Sequence, residues 1–280
     1  MKKIYRREGG RNPTARSGSG TERMQANSLV RGLLVLECFS PHKDNFTLAE
    51  LSRLIEIPKS SLHRVVKTLS QMNYLRYEEQ SKRYYLGTRV LSLGFSVLQS
   101  MELREIARPC LEKLSRECNK TVNLAVFDRN EMVYVERVRV PGIRVYNVGV
   151  GNRIPLWSTA VGRAVLAHLD QQKLGDVLKE LKASPEFNGD RESLKKIIDS
   201  VRRDGFATSD QEHQRGIIAI AVPVFSSTGV VCAVNLVGEP EDVSMENLKR
   251  EYAPKLMKVG KELSLALGYR EESDYSAKIS

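Results

Sequence analysis

The strongest pattern in the chain is a pair of apolar stripes separated by a short connection. Leucines recur every third residue in Thr47–Leu54, and apolar residues fall at i, i+3, i+4 and i+7 in Pro58–Met72. Spacing of this kind places the apolar residues on one face of a helix. Thr47 and Glu50 also have the spacing of a capping box, which marks the start of the first helix. The pattern therefore predicts two short amphipathic helices joined by a tight turn.

The outer face of the second helix is rich in hydrogen-bond donors and carries no acid. Such a face, beside a shorter supporting helix, suits the major groove of DNA. Any surface helix also has a polar outer face, so this face alone does not indicate DNA binding. The sequence around it decides between the two interpretations. The candidate DNA contacts on this helix are Ser60, Ser61, His63, Arg64 and Lys67.

The neighbouring sequence favours the DNA interpretation. Two short β-prone runs, Tyr74–Tyr77 and Tyr84–Leu86, flank the polar sequence EEQSKR and predict a hairpin. Its basic side includes Arg83, a candidate phosphate contact. With Ser28–Phe39 as the preceding helix, the order of elements is that of a winged helix-turn-helix.

Positive charge is concentrated in the same part of the chain. Residues 1–87 hold 16 Lys and Arg against 8 Asp and Glu, a net charge of +8 out of the +10 carried by all 280 residues. Clustered Lys and Arg neutralise phosphates and supply most non-specific affinity for DNA. Residues 1–27 have almost no aliphatic side chains, so we expect them to be disordered. This basic tail is either passive or an arm that tracks phosphates.

Two further helices are predicted before the composition changes. Thr88–Ser100 is apolar on more faces than one small domain needs. We expect it to link two domains and to pair with its twin in a dimer; packing on its own chain is the alternative. Leu103–Cys118 is also helical in spacing, and Pro109 within it predicts a kink or break.

The rest of the chain mixes strands with helices. From Thr121 on, the runs TVNLAVFD, EMVYVERV and GIRVYNVGV are β-prone, and two strongly apolar strands are predicted at Ile217–Phe225 and Val230–Val237. The predicted helices are Ser158–His168, Gln171–Leu181, Arg191–Arg203 and a long closing helix over Met245–Leu267 that Pro254 would kink. This order, with some adjacent strands, predicts an α+β domain with an antiparallel sheet.

Catalytic and metal sites are poorly supported. The chain has no G-x-S-x-G, P-loop, G-x-G-x-x-G or H-E-x-x-H motif. Asp210 and Glu212 are close in sequence, but no nucleophile or metal-ligand set accompanies them. The four cysteines are scattered without a CxxC, which favours reduced thiols in a cytoplasmic protein. We expect no enzymatic activity, no cofactor, no metal, no secretory signal and no membrane span.

Five stretches of the chain resemble the IclR family of transcriptional regulators. They are SLVRGLLVLECF, FTLAELSRLIEIPKSSLHRVVKTLSQMNYL, RYYLGTRVLSLG, GNRIPLWSTAVGRAVLAHL and DQEHQRGIIAIAVPVFSSTGVVCAVNLVG, within about residues 26–270. The resemblance implies a winged helix-turn-helix, a C-terminal GAF-like α+β domain that binds a small-molecule effector, and dimers or tetramers on operator DNA. The expected domains are a basic tail (1–27), the winged helix (28–87), a linker and dimerisation helix (88–102), the effector-binding domain (103–270) and a C-terminal tail (271–280).

The family's effector pocket maps onto the start of the Ser158 helix and onto later strands. The residues that the resemblance implies are Leu156, Ala160, Val161, Ser209, Asp210, Ala219, Asn235 and Val237. Backbone N–H groups at the helix start would hold an anion, so a carboxylate effector is expected. Asn73 stands where the family often has Gly, and Ser209 where it often has an acid. The phrase GRAVLA and the last two strands are similar to the branch that controls aromatic-acid breakdown.

The sequence thus predicts a DNA-binding regulator, a repressor or an activator, whose operator affinity is controlled by a small organic acid. The alternative is a metabolic enzyme or signalling module that uses its winged helix for protein contacts. An RNA-binding protein would need stacked aromatic side chains on an exposed sheet, and the sequence has no such cluster.

Overall fold

The structure is a computed structural model that describes residues 20–40, 43–140, 148–183, 187 and 190–270. The chain divides into two compact units, with the boundary between Gln99 and Ser100. Each unit is built around its own antiparallel sheet, as the two-domain prediction requires.

The first unit is a helical core with a small sheet in the order β1–β3–β2. Its elements are α1 (Gly20–Glu37), β1 (Asn45–Thr47), α2 (Leu48–Leu54), α3 (Lys59–Gln71), β2 (Leu75–Glu78), β3 (Arg83–Leu86) and α4 (Thr88–Gln99). The predicted helix pair, the hairpin and the helix predicted over Thr88–Ser100 are all present; the linking role of that helix stays a prediction. The sequence pattern missed β1, which pairs with β3 and has only three residues.

The predicted stripes form the core of this unit. Leu51 of α2, Leu62 and Val66 of α3 and Val35 of α1 are fully buried, and Phe46 of β1 is nearly so. Burying one such side chain contributes about 1.5–3 kcal/mol relative to leaving it exposed.

The predicted capping box starts α2. The Thr47 hydroxyl accepts from the Glu50 N–H at 3.2 Å, and the Glu50 carboxylate accepts from the Thr47 N–H at 2.7 Å. Two backbone donors at the helix start are thereby satisfied.

A tight turn joins α3 to the wing. Asn73 adopts a left-handed conformation with φ of 60°, which Asn tolerates better than most side chains. Gly87 lies against this turn: a Cβ at that position would be 2.1 Å from the Asn73 carbonyl oxygen. The close approach of the two segments therefore requires glycine at position 87.

The start of α1 differs from the prediction. The helix begins at Gly20 rather than near Ser28, so residues 20–27 are helical where we expected disorder. The rest of the predicted basic tail, residues 1–19, lies outside the described residues, as does the C-terminal tail from residue 271.

The second unit carries a larger sheet in the order β6–β5–β4–β9–β8–β7, antiparallel throughout. Its elements are α5 (Glu102–Cys118), β4 (Thr121–Asp128), β5 (Glu131–Val138), β6 (Arg153–Pro155), α6 (Ala160–Leu166), α7 (Gln171–Ala183), α8 (Arg191–Asp204), β7 (Ala207–Asp210), β8 (Ile218–Ser226), β9 (Gly229–Gly238), α9 (Met245–Asn247), a π-helical turn (Leu248–Tyr252) and α10 (Ala253–Ala266). The α+β class with an antiparallel sheet is confirmed.

The two faces of the sheet are covered by different helices. Helix α5 contacts β4, helix α10 contacts β8, and helix α6 contacts both β8 and β9. Alanines such as Ala125, Ala221 and Ala233 are fully buried in the cluster that includes α6. Their small side chains allow α6 to pack closely on the sheet.

Several details of this unit were predicted differently. Helix α5 continues through Pro109 without a break, and Ala107, Leu111 and Leu114 give it a continuous buried stripe; the predicted kink stays a prediction. The closing helix changes to a π-helical turn just before Pro254, which relieves the clash of a proline with the preceding turn.

Two strands were not foreseen, and one predicted strand is untested. The short strands β6 and β7 were missed. The run GIRVYNVGV falls largely on residues 141–147, which lie outside the described residues. Within the described part of the chain, no helix is long and apolar enough to cross a membrane.

Candidate functional site

Helix α3 presents the predicted DNA-contact residues on the side opposite its core. Ser60, His63, Arg64 and Lys67 are exposed, and Ser61 is half-buried. The same helix buries its apolar stripe, so its orientation is fixed by packing. This arrangement leaves the donor-rich face open to a partner.

A concave surface lies between α3 and the wing. Lys59, His63 and Lys67 of α3 and Lys82 of the wing line it, and no acidic side chain among the described residues does so. Lys82 is exposed and has a φ of 54°, which places it in the turn of the hairpin. The surface is therefore cationic, and a phosphate backbone is the partner that such charge attracts.

Arg83 has internal partners instead of a free guanidinium. Its Nη1 donates to Asn45 Oδ1 at 2.7 Å and lies 3.3 Å from Glu50 Oε2. The side chain therefore ties β3 to the start of α2, which reduces its availability to phosphates. Lys82, next to it, is the better candidate for that contact.

The second candidate site is a cavity of about 60 Å³ between the sheet and the start of α6. Five of the residues implied by the resemblance line it: Ala160, Ser209, Ala219, Asn235 and Val237. The structure places the other three elsewhere. Leu156 and Val161 are fully buried in the core around α6, and Asp210 is exposed.

The start of α6 is held by its own cap. The Thr159 hydroxyl accepts from the Gly162 N–H at 3.1 Å. A Cβ on Gly162 would lie 2.2 Å from the Leu156 carbonyl oxygen, so the helix packs tightly on the segment before it. The cap satisfies the Gly162 N–H, and the anion site at the N–H groups of Ala160 and Val161 stays a prediction.

Sequence reasoning missed a polar chain on the cavity wall. Asn123 Nδ2 donates to Asn235 Oδ1 at 2.9 Å, and Asn235 Nδ2 donates to the Tyr134 hydroxyl at 3.4 Å. All three residues are buried. Burial raises the pKa of Tyr134, so the phenol keeps its proton and can donate it into the cavity.

Arg137 also lines the cavity. Its Nη1 donates to the Val148 carbonyl oxygen. Its Nε is buried and has no hydrogen-bond partner among the described residues. Burial, with a smaller contribution from the nearby charge of Arg139, lowers the pKa of Arg137. The guanidinium is thus partly desolvated, and no carboxylate of a described residue compensates for it.

A buried ion pair holds the loop at one edge of the cavity. Arg163 of α6 is 5 % exposed and makes a bidentate pair with Glu212. It also donates to the carbonyl oxygens of Trp157 at 2.9 Å and Thr208 at 2.8 Å. The loop beyond Glu212 supplies further lining residues, so this pair positions one wall of the cavity.

No cluster of His, Cys, Asp and Glu able to hold a metal ion occurs within the described ranges. None of the four cysteines, all of which lie in the described ranges, forms a disulfide. Burial raises the pKa of Cys232 to about 12, which keeps that thiol protonated and unreactive.

Comparisons with known proteins match both parts of the chain. Residues 28–79 match the family model described as the IclR helix-turn-helix domain, and residues 95–265 match the one described as bacterial transcriptional regulator IclR C-terminal. The Pca regulon regulatory protein of Pseudomonas putida is 32% identical over 241 residues, covering 84% of this chain and 82% of that protein.

Solved structures give the same result. The crystal structure of an IclR family transcriptional regulator from Brucella abortus is 28% identical, covers 89% of this chain and 96% of that chain, and superposes with a TM-score of 0.76. The inducer-binding domain of the Acinetobacter PobR transcription factor, a double mutant solved with 3-hydroxybenzoic acid, is 30% identical and covers 58% of this chain and 97% of that chain, with a TM-score of 0.51.

Proposed function

The chain belongs to the IclR family of bacterial transcriptional regulators, and on that basis we propose that a small organic acid binds in the cavity beneath α6 and changes how tightly α3 holds operator DNA. The observation that carries this proposal is the convergence of polar side chains on the cavity, with a guanidinium among them. A pocket with few, well-placed polar groups is typical of a small-molecule site.

The proposed DNA contacts are the exposed side chains of α3. Ser60, His63, Arg64 and Lys67 are exposed, with Ser61 at their edge. We propose that they read base edges in the major groove while Lys82 and the basic N-terminal residues hold phosphates. Binding to chromosomal DNA would place the protein in the cytoplasm.

The proposed effector is an organic acid. The solved relative from Acinetobacter was crystallised with 3-hydroxybenzoic acid. The described residues around the cavity include Arg137, whose Nε has no hydrogen-bond partner among them. Among the lining residues predicted from the sequence, we retain Ala160, Ser209, Ala219, Asn235 and Val237 as effector contacts. We assign Leu156 and Val161 to the walls behind them.

We propose that α4 forms the dimer contact. Leu91, Leu93, Phe95 and Val97 on this helix are all more than half exposed. A helix with so much exposed apolar surface gains stability by packing against a second copy. A homodimer, or a pair of dimers, would then present two α3 helices to a near-palindromic operator.

The proposed regulation is a thermodynamic coupling between effector binding and operator binding. An effector that binds one arrangement of the dimer more tightly shifts the population toward it. The change in operator affinity equals the effector's preference between the two arrangements, and the reverse coupling has the same magnitude.

The test is operator binding by the Arg64→Ala variant, measured by gel shift and by footprinting with purified full-length protein. Loss of a base contact should weaken binding by about 1–3 kcal/mol, roughly 5- to 150-fold, and relax preference at that base pair. Arg116→Ala is the matched control, because Arg116 is an exposed arginine on α5 and should not affect affinity. Equal affinity and base preference for Arg64→Ala and the parent protein would count against Arg64 as a base contact.

A further inference from the structure

Arg137 differs from the other buried or half-buried arginines among the described residues of the second unit. Arg104 and Arg163 each form an ion pair with an acid. Arg137 instead faces the cavity, is half-buried, and leaves its Nε without a hydrogen-bond partner among the described residues. An uncompensated, partly desolvated guanidinium costs stability, so its presence in a cavity indicates a ligand that supplies the missing acceptor.

Sheet register places this guanidinium beside the polar chain. Arg137 of β5 is directly opposite Asn123 of β4, and Asn123 is directly opposite Asn235 of β9. Residues in such a cross-strand row point to the same face of the sheet, with neighbouring Cβ atoms about 4.5–5.5 Å apart. Arg137 therefore begins a continuous polar row along the cavity wall.

The polar chain has a direction, which defines what a ligand must offer. Each amide donates to the next group, so the Tyr134 O–H is the free donor at one end of the chain. Asn123 Oδ1, at the other end, is buried and accepts no hydrogen bond from the described residues. A complementary ligand therefore needs acceptors near Arg137 and Tyr134 and a donor for Asn123.

We infer that Arg137 binds the acid group of the effector and that Asn123 accepts a hydrogen bond from a second, donor group of the same ligand. This inference rests on the proposed function and names the ligand class: a carboxylic acid that also carries a hydroxyl or amino group. The assignment moves the anion site from the start of α6 to the end of β5.

The cavity volume favours a small member of this class. An engineered apolar cavity of about 150 Å³ binds benzene, whereas the cavity here measures about 60 Å³. Lactate has about as many non-hydrogen atoms as benzene, so it would already require the lining side chains to move apart. A larger hydroxy acid, such as 3-hydroxybenzoate, would require them to move further.

The experiment measures binding to the full chain by calorimetry and thermal shift. The probes are lactate, propionate, lactamide, 3-hydroxybenzoate and 3-hydroxybenzamide. We expect the parent protein to bind an acid at least about tenfold more tightly than its neutral amide. Arg137→Gln should weaken binding of the acid by about 10- to 100-fold and leave binding of the amide nearly unchanged.

Arg139→Gln is the matched control. Arg139 is exposed and lies two residues from Arg137, so this variant removes the same charge from the same stretch of chain. It should bind the acids within about twofold of the parent protein. The unliganded Arg137→Gln variant should melt at the same temperature as the parent or higher, because the substitution removes a desolvated charge. If Arg137→Gln melts like the parent protein but no longer binds the acid, Arg137 is a ligand contact and not a structural residue.

Three results would overturn the inference in distinguishable ways. If the parent protein binds none of the acids, the proposed effector class itself fails, and the role of Arg137 fails with it. If the parent protein binds an acid and Arg137→Gln binds it equally well, the effector class stands and Arg137 is not the anchor. If lactate and propionate bind equally, Asn123 receives no donor from the ligand.

Discussion

Replacement of Arg163 or Glu212 tests whether one ion pair supports the cavity. Arg163→Met removes the guanidinium and keeps an unbranched side chain in the buried site. Glu212→Gln keeps the shape of the partner and removes its charge. The double variant completes a cycle that isolates the interaction between the two side chains.

The expected magnitudes follow from burial. Arg163 is 5 % exposed and donates to two carbonyl oxygens as well as to Glu212. Its removal should lower the free energy of unfolding by about 3–5 kcal/mol, since each former acceptor loses a charged donor. The Glu212 side chain is 40% exposed, so water can replace part of what it supplies. Glu212→Gln should cost about 1–2 kcal/mol.

The assay uses the fluorescence of Trp157 during unfolding in urea. Trp157 is the single tryptophan of the chain, and its carbonyl oxygen accepts from Arg163. Its ring packs edge-on against Phe187 with 5.4 Å between ring centroids. The signal therefore reports on the second unit alone, and the urea midpoint gives the change in stability when the slope is constant.

A non-additive result is expected. Once Arg163 is absent, Glu212 has no charge to pair with, so the double variant should be no less stable than Arg163→Met. The coupling should be about 1–2 kcal/mol. Costs that add to within about 0.5 kcal/mol would refute the view that the pair acts as a unit.

Two further predictions concern backbone packing and pH. Gly162→Ala should destabilise the second unit by at least about 2 kcal/mol, because the new Cβ would lie 2.2 Å from the Leu156 carbonyl oxygen. Gly94→Ala should be neutral or stabilise α4 by up to about 1 kcal/mol, because no atom lies within 4 Å of its Cβ position. Circular dichroism during heating measures both changes. Hydrogen bonds from Thr47, its backbone N–H foremost, lower the pKa of Glu50 from 4.5 to about 2. The stabilisation from a carboxyl whose pKa is lower in the folded state is present above pH 4.5 and is lost as the pH falls toward 2. The melting temperature of the parent protein should therefore fall over that pH range, and that of Glu50→Gln should fall less. Equal falls in the two proteins would contradict the lowered pKa of Glu50.

Local patterns were sufficient to predict the elements of the winged helix. The stripe in α3 is a helical period, the Thr47 and Glu50 pair is a cap, and Asn73 marks a turn; each signal lies within a few residues. The three-residue strand β1 has no such signal, because it exists only through pairing with β3. The internal partners of Arg83 were missed for the same reason, since Asn45 lies 38 residues earlier.

The cavity required knowledge of sheet register, and one irregularity explains why alternation alone misleads. In a regular strand, Tyr134 and Arg137 would point to opposite faces, because they are an odd number of residues apart. The register between β4 and β5 shifts between Leu124 and Ala125: Ala125 pairs with Tyr134, whereas Leu124 pairs with Glu136. The bulge inserts one extra residue into β5, and Tyr134 and Arg137 thereby share the cavity face. Glu136, on the other face, pairs with Arg104 of α5 at 2.7 Å. Bulges of this kind change the direction of side chains at functional sites. Regular alternation would direct the Arg137 guanidinium away from the Tyr134 phenol. Because of the bulge, both side chains line the same cavity.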